Sequence, residues 1–450
     1  MNQHKKFMQE MAEQIAVNDQ IEHDLYKKYN VKKGLRDENN VGIVVGLTKV
    51  CDVHGYEIAD GKKVSDEGRL TYRGISIENF VKGFQADGRR GFEEVTYLLL
   101  CGKLPNKEEI NSFSKLLQDN YELPAGFMET MILRIPSKDI MNKIQRSLLV
   151  LYSYDDEPEE GSIENSLRQS ISLIAKMPAI IAYGYQAKNH YFNNQSLYIH
   201  SPKPEYSIAQ NILHMIRPSN DFTDKEAEVL DLCLVVHADH GGGNNSTFTL
   251  NVISSTGTDI YSALAAAVGS LKGPKHGGAN IMVLKMMDDI KEHVKDWSDD
   301  EQLKSYLLKI FRKEAFDQTG LIYGLGHAIY TLSDPRANLL KEKAYELAVE
   351  KGPAKVKEFM LYHKIETLTK EIFAEYKPGV SVAANVDLYS GFVYDILNIP
   401  KELYTPLFAA ARMAGWCAHR LENIVVEKKI IRPAYQDVCE KAEYIPLEAR

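Results

Sequence analysis

Cysteine is scarce and scattered in this chain of 450 residues: Cys51, Cys101, Cys233, Cys417 and Cys439 form an odd set with no CxxC spacing. That excludes a disulfide framework and a thiolate zinc site, and it fits reduced thiols in a cytoplasmic protein. Long hydrophobic runs are missing as well, so no stretch approaches the length needed to span a bilayer. Residues Met1 to Arg36 mix acids with bases around no apolar run, and are expected to be neither a secretory signal nor a transit peptide. Nor is there a strong excess of one charge. A formal net charge of −8 argues against nucleic acid as the main partner, while a local arginine cluster could still receive an anionic substrate. No fixed-period repeat, low-complexity tract or GxxxxGK[ST] phosphate loop is present. What remains, at 44% hydrophobic and 26% charged residues, is an ordinary soluble protein long enough for two domains and a large core.

The expected organisation is all-α with a minor β region near the N-terminus. Met8, Met11, Ile15 and Ile21 fall on one helical stripe between Phe7 and Leu25, which should pack on its own domain or on a second subunit. Short β-branched runs such as Ile43-Val44-Val45, broken by glycines, make Val41 to Tyr72 a strand-and-turn region. After Phe92 the pattern is helical. Thr223-Asp224-Lys225-Glu226 matches a capping box, and Asp334-Pro335 opens a helix that Gly352 can end. Tyr261 to Leu271, alanine-rich and nearly uncharged, reads as a buried helix leading to His276. The acidic run Asp155 to Glu160 reads as a surface loop without a function.

Three distant stretches place an ionisable group where chemistry is feasible: His276 in Gly273-Pro274-Lys275-His276-Gly277-Gly278, His327 in Gly324-Leu325-Gly326-His327-Ala328, and Asp387 in Asn385-Val386-Asp387-Leu388. Glycine beside a histidine lets a substrate approach and leaves amide N–H groups as donors. Among apolar neighbours a carboxylate becomes more basic, as proton abstraction from carbon requires, though Asp387 could equally cap the next helix. Arg336 follows His327 at a helix start, a place suited to anions. Arg412 lies in an apolar helix, where a buried cation needs a partner: an intramolecular ion pair or a ligand. Arg432 has local surroundings of a surface residue. The cluster His237-Ala238-Asp239-His240 admits three readings: a metal site, a helix end, or a substrate contact.

In this order the segments resemble the citrate synthase family over roughly residues 40 to 433. The matching motifs include Arg73-Gly74, Phe92-Glu93-Glu94, His237-Ala238-Asp239-His240, Gly273-Pro274-Lys275-His276-Gly277-Gly278-Ala279-Asn280, Gly324-Leu325-Gly326-His327-Ala328, Asp334-Pro335-Arg336, Asn385-Val386-Asp387, and Arg412 with Gly415-Trp416. The resemblance implies a citrate synthase-like fold, a large helical domain (1–280 and 385–450) with a small one (281–384) closing over a cleft. It implies condensation of acetyl-CoA with oxaloacetate, then hydrolysis of citryl-CoA. Asp387 would be the base, His276 the donor to the thioester oxygen and His327 the donor to the ketone. His240, Arg336, Arg412 and Arg432 would hold carboxylates. No metal or other cofactor is implied, and a homodimer is, with Arg432 completing the neighbouring subunit's site. The nearest alternative is 2-methylcitrate synthase acting on propionyl-CoA; a metal-dependent hydrolase using His237, Asp239 and His240 is the more distant one. Two departures from the family stand out: Gly241 where relatives often have an acid, and Thr331 where they often have a base for CoA phosphate.

Overall fold

The computed structural model describes residues 3–37, 41–59, 62–426 and 429–450. The chain divides into two compact units. The larger comprises residues 47–58 and 64–431 and is almost entirely helical. Its centre is made of helices buried along most of their length. They include Ile163–Asn193, Asp224–His237, Ile260–Lys272 and Tyr404–Val426. The capping box forms as expected. Thr223 Oγ1 accepts from Glu226 N at 3.2 Å, and Glu226 Oε2 accepts from Thr223 N at 3.1 Å. The Pro335–Lys351 helix begins with Asp334 as N-cap and ends at Gly352. Among the described residues no helix is long and apolar enough to cross a membrane.

Three strands form the β component, β1 (Cys51–Ala59), β2 (Lys62–Tyr72) and β3 (Ile75–Ser76), in the order β1-β2-β3. β2 and β3 pair antiparallel, with Thr71 opposite Ser76. The hairpin grips the segment 329–333. Asp66 N donates to Thr331 Oγ1 at 3.2 Å and Gly68 N to Ser333 Oγ at 3.0 Å. Thr331 in turn donates to the carbonyl of Gly55. A Cβ on Gly68 would come within 2.1 Å of the Ser333 carbonyl oxygen, so this close seating requires glycine. Thr331 is thus a clamp between the hairpin and the chain leading from His327 to Arg336.

The smaller unit comprises residues 1–46, 59–63 and 432–450. Here the expected continuous N-terminal helix is two, Gln3–Asn18 and His23–Lys28, and Phe7, Met8, Met11, Ile15 and Ile21 are exposed. Ile43-Val44-Val45 joins no strand: β-branched residues favour extended backbone, but a strand also needs a neighbour to pair with. The run after Asp155 differs from expectation too. Asp155 is no idle loop residue: it accepts hydrogen bonds from Tyr261 (2.6 Å), Arg168 (2.7 Å) and Gln169 (2.9 Å), tying the loop to two core helices.

Candidate active site

His276 sits in the turn that follows the Ile260–Lys272 helix. Gly277 N donates to the Leu271 carbonyl at 3.0 Å, and a Cβ on Gly277 would approach that oxygen to 2.2 Å. Thr405 Oγ1 donates to the carbonyl of Gly277 at 2.9 Å, fixing the turn against the Tyr404–Val426 helix. The imidazole faces the first turn of the Asn245–Ser254 helix. Ser246 N lies 3.4 Å and Ser246 Oγ 3.1 Å from His276 Nε2. A backbone N–H can only donate, so Nε2 is assigned the lone pair and Nδ1 the proton. Burial, aided by the Arg412 charge, lowers the His276 pKa to about 4. The ring is a neutral donor at neutral pH.

His327 follows the same logic with the nitrogens exchanged. Its Nδ1 accepts from Ile329 N at 3.1 Å and Tyr330 N at 3.2 Å, which places the proton on Nε2. The ring lies 5.1 Å from that of His240 and 4.8 Å from that of Tyr330, centroid to centroid. Tyr330 also lies beneath the Arg336 guanidinium, 5.2 Å away. Arg336 is held by Asp334 through Nε (3.0 Å) and Nη2 (2.8 Å), a fork that orients it before any ligand arrives.

Asp387 is brought beside this segment by backbone pairing. Gly326 N donates to the Ala383 carbonyl at 2.7 Å and Asn385 N to the Gly324 carbonyl at 2.9 Å, with Leu325 bridged to Ala384. Gly324 and Gly326 have φ of +84° and +90°, which glycine alone adopts without strain. The cap of the Val386–Ile396 helix is Asn385, whose side chain accepts from Asp387 N; the capping alternative for Asp387 is thereby removed. Burial raises the Asp387 pKa to about 6, with Asp334 adding to it and the Arg336 and Arg412 charges opposing it.

Arg412 is fully buried and donates through Nε to the His237 carbonyl at 2.8 Å. Its Nη1 and Nη2 have no hydrogen-bond partner, and among the described residues it enters no ion pair. The ion-pair alternative for Arg412 therefore fails. His240 Nε2 and Tyr330 Oη are buried without a hydrogen-bond partner as well. Unsatisfied polar atoms are rare in folded interiors. The Arg412 charge acts on His276, Asp387 and His240 alike. Burial, then Arg336, His327 and Arg412, keep His240 neutral.

The metal reading of His237, Asp239 and His240 does not hold geometrically. His237 Nδ1 meets the Cys233 carbonyl at 2.7 Å and Asp239 Oδ2 meets His419 at 3.1 Å, and the three residues do not bring one ligand atom each within 4.8 Å of one another. Among the described residues the group whose ligand atoms approach within 4.8 Å of one another is His54, Glu57 and Asp66 instead. Gly241 has φ of +77°, a conformation glycine adopts without strain. Arg432 lies in the smaller unit and is exposed. Sequence reasoning overlooked Ser246, Tyr330 and His419, and saw Asp334 only as part of a helix start. Their importance comes from contacts across the fold, which no local pattern displays.

A helical fold that buries a neutral imidazole, a basic carboxylate and guanidinium groups fits an acyl-transferring enzyme, and similarity to known proteins defines the class and the family. The family model described as "Citrate synthase, C-terminal domain" matches residues 39–434, and the chain belongs to the citrate synthase family. It is 31% identical to a citrate synthase of Haloferax volcanii, over 93% of this chain and 99% of that one. It is 30% identical to a 2-methylcitrate synthase of Shewanella oneidensis, over 86% of this chain and 91% of that one. The solved citrate synthase of Thermoplasma acidophilum, in ternary complex with carboxymethyl coenzyme A and oxaloacetate, superposes with a TM-score of 0.76 at 26% identity, covering 93% of this chain and 99% of that one.

Proposed function

We propose that the protein condenses acetyl-CoA with oxaloacetate and hydrolyses the resulting citryl-CoA to citrate and CoA. The observation that carries this reading is the set of buried, partnerless donors on Arg412 and His240 beside a carboxylate with a pKa raised to about 6. A dianion supplies what those donors lack. Asp387 removes a proton from the acetyl methyl group while His276 Nδ1–H hydrogen-bonds the thioester oxygen as it gains negative charge. The enol carbon attacks the oxaloacetate ketone, and His327 Nε2–H gives its proton to the new alkoxide. Water then attacks the thioester carbonyl, and CoA leaves as the thiol.

The magnitudes explain why base and donor act together. A positioned base contributes roughly 10²–10⁴-fold, and one aimed donor roughly 3–4 kcal/mol. A thioester α-proton is too weakly acidic for either alone. Arg336, Arg412, His240 and Arg432 hold the carboxylates and fix the ketone for attack. No metal or cofactor enters these steps, so activity should survive chelation. Residues 281–384 act as a small domain that closes over the cleft, the rest of the chain forming the large one. The enzyme works in the cytoplasm as a homodimer in which Arg432 serves the neighbouring subunit.

The test is thiol release from acetyl-CoA with and without oxaloacetate, with propionyl-CoA as a second arm. Oxaloacetate-dependent release favouring acetyl-CoA is expected. Preference for propionyl-CoA would replace the reading by 2-methylcitrate synthesis, since one methylene is worth only about 1–3 kcal/mol in such a pocket. Mixing Arg432→Ala with His276→Ala chains should restore activity if Arg432 crosses between subunits.

A further inference from the structure

Arg412 and Asp239 are opposite charges, both wholly buried, yet they make no ion pair. In a poorly screening interior such groups attract strongly, so something must hold them apart. Asp239 is engaged from its other side. Its Oδ2 accepts from Gly241 N at 3.1 Å and faces His419 Nε2 at 3.1 Å. Its Oδ1 has no hydrogen-bond partner and is packed against Gly415, where a Cβ would come within 2.4 Å. Arg412, Gly415 and His419 are spaced i, i+3 and i+7 on the Tyr404–Val426 helix, so one stripe offers a cation, a gap and an imidazole to the turn 238–241.

We propose that His419 is a positioning residue: by holding Asp239 Oδ2 it keeps that carboxylate turned from Arg412 and the guanidinium available to the substrate carboxylate. This rests on the reading of Arg412 as a carboxylate-binding group. The other polar groups around the pair fit the role. Glu422 Oε2 lies 3.9 Å from His419 Nδ1, while Glu422 Oε1 accepts from Lys49 N at 2.6 Å, so the imidazole is flanked by anchored carboxylates at both nitrogens. Tyr72 Oη donates to the backbone carbonyls of Val235 (3.0 Å) and Asp239 (3.3 Å) and leaves the Asp239 carboxylate to His419 and Gly241. The Cys51 thiol, also near this carboxylate, is a weak donor kept neutral by burial. Without His419, Asp239 Oδ2 would lose its side-chain donor and the nearest strong replacement would be Arg412. The ion pair so formed would consume the guanidinium face and drag His240, the next residue along.

The experiment compares His419→Leu, His419→Gln, Asp239→Asn and the double variant Asp239→Asn/His419→Leu by steady-state kinetics in both substrates. His419→Leu should raise the oxaloacetate KM at least tenfold while moving the acetyl-CoA KM less than twofold. His419→Gln, which retains an N–H donor, should stay within threefold of the parent. Asp239→Asn on the His419→Leu background should bring the oxaloacetate KM back to within threefold, because a neutral amide cannot capture Arg412. A merely structural His419 would shift both KM values and would not be rescued. Should His419→Leu fail to fold, Asp239→Asn alone decides, since a tenfold rise in its oxaloacetate KM would overturn the proposal. An Arg412→Lys variant separates the levels. If its oxaloacetate KM is unchanged, the carboxylate-binding reading of Arg412 falls and this proposal with it. If that KM rises but His419→Leu has no effect, only the role of His419 is lost.

Discussion

The side-chain amide of Asn385 donates to the carbonyl of Gly326 at 2.9 Å, joining the segment that carries Asp387 to the one that carries His327. The same side chain accepts from Asp387 N at 3.0 Å and so caps the helix on which Asp387 stands. Asn385→Ala removes both bonds. Loss of a helix cap costs about 1 kcal/mol, too little to unfold a core of this size. The expected result is a modest fall in melting temperature with a tenfold or larger fall in kcat, because a misplaced base costs rate more than stability. Equal kcat in variant and parent would show that the tie is dispensable.

Asp387→Asn should abolish condensation while leaving oxaloacetate affinity, read by calorimetry, within about threefold. It should also stabilise the fold. The folded pKa of about 6 lies above the ordinary 3.8, so the folded state favours the protonated carboxyl. That contribution is present below about pH 4 and is lost as pH rises through 6. Above 6 the ionised group costs about 1–3 kcal/mol. A permanently neutral Asn escapes the cost, so the variant should melt higher than the parent at pH 7.5, the gap narrowing towards pH 5. A lower melting temperature at pH 7.5 would mean that Asp387 supports the fold.

Why did the sequence yield the helices and chemical residues but not their supports? Capping at Thr223 and Asp334, and the alanine-rich run to Lys272, are local patterns with one physical solution. His276, His327 and Asp387 were legible because glycine or apolar neighbours mark them, and because their order matches a family. Ser246, Tyr330 and His419 owe their roles to partners 30, 90 and 180 positions away: His276, His240 and Asp239. The N-terminal apolar stripe, expected to pack on its own domain or on a second subunit, stays exposed on the single chain. Periodicity announces a face, but not whether the chain itself covers it.

Arg412→Met should separate stability from function. Burying a cation without an ion-pair contact is costly, and replacing it by an apolar side chain of similar length is often neutral or favourable. The lost Nε bond to the His237 carbonyl offsets part of the gain, by about 1 kcal/mol. Thermal melts should therefore show Arg412→Met at or above the parent, while its oxaloacetate KM rises a hundredfold or more. A strongly destabilised variant would mean that the guanidinium is satisfied within the fold.

The pH dependence of kcat follows from two groups whose environments push them in opposite chemical directions. Asp387 must be ionised to act as base, and burial raises its pKa to about 6. His276 is already neutral in this range, with the Nε2 lone pair towards Ser246 N and the proton on Nδ1, because burial with Arg412 lowers its pKa to about 4. Of these two groups, then, only Asp387 changes state between pH 5 and 8. With both substrates saturating, kcat should fall tenfold per unit below a single break near pH 6 and level off above it. The bound substrates would move the break through their own charge, upward if an anion lies beside Asp387. A limb falling a hundredfold per unit would require a second group, an imidazole first of all, to titrate in the same range. That outcome would overturn the prediction that Asp387 alone sets the acid limb.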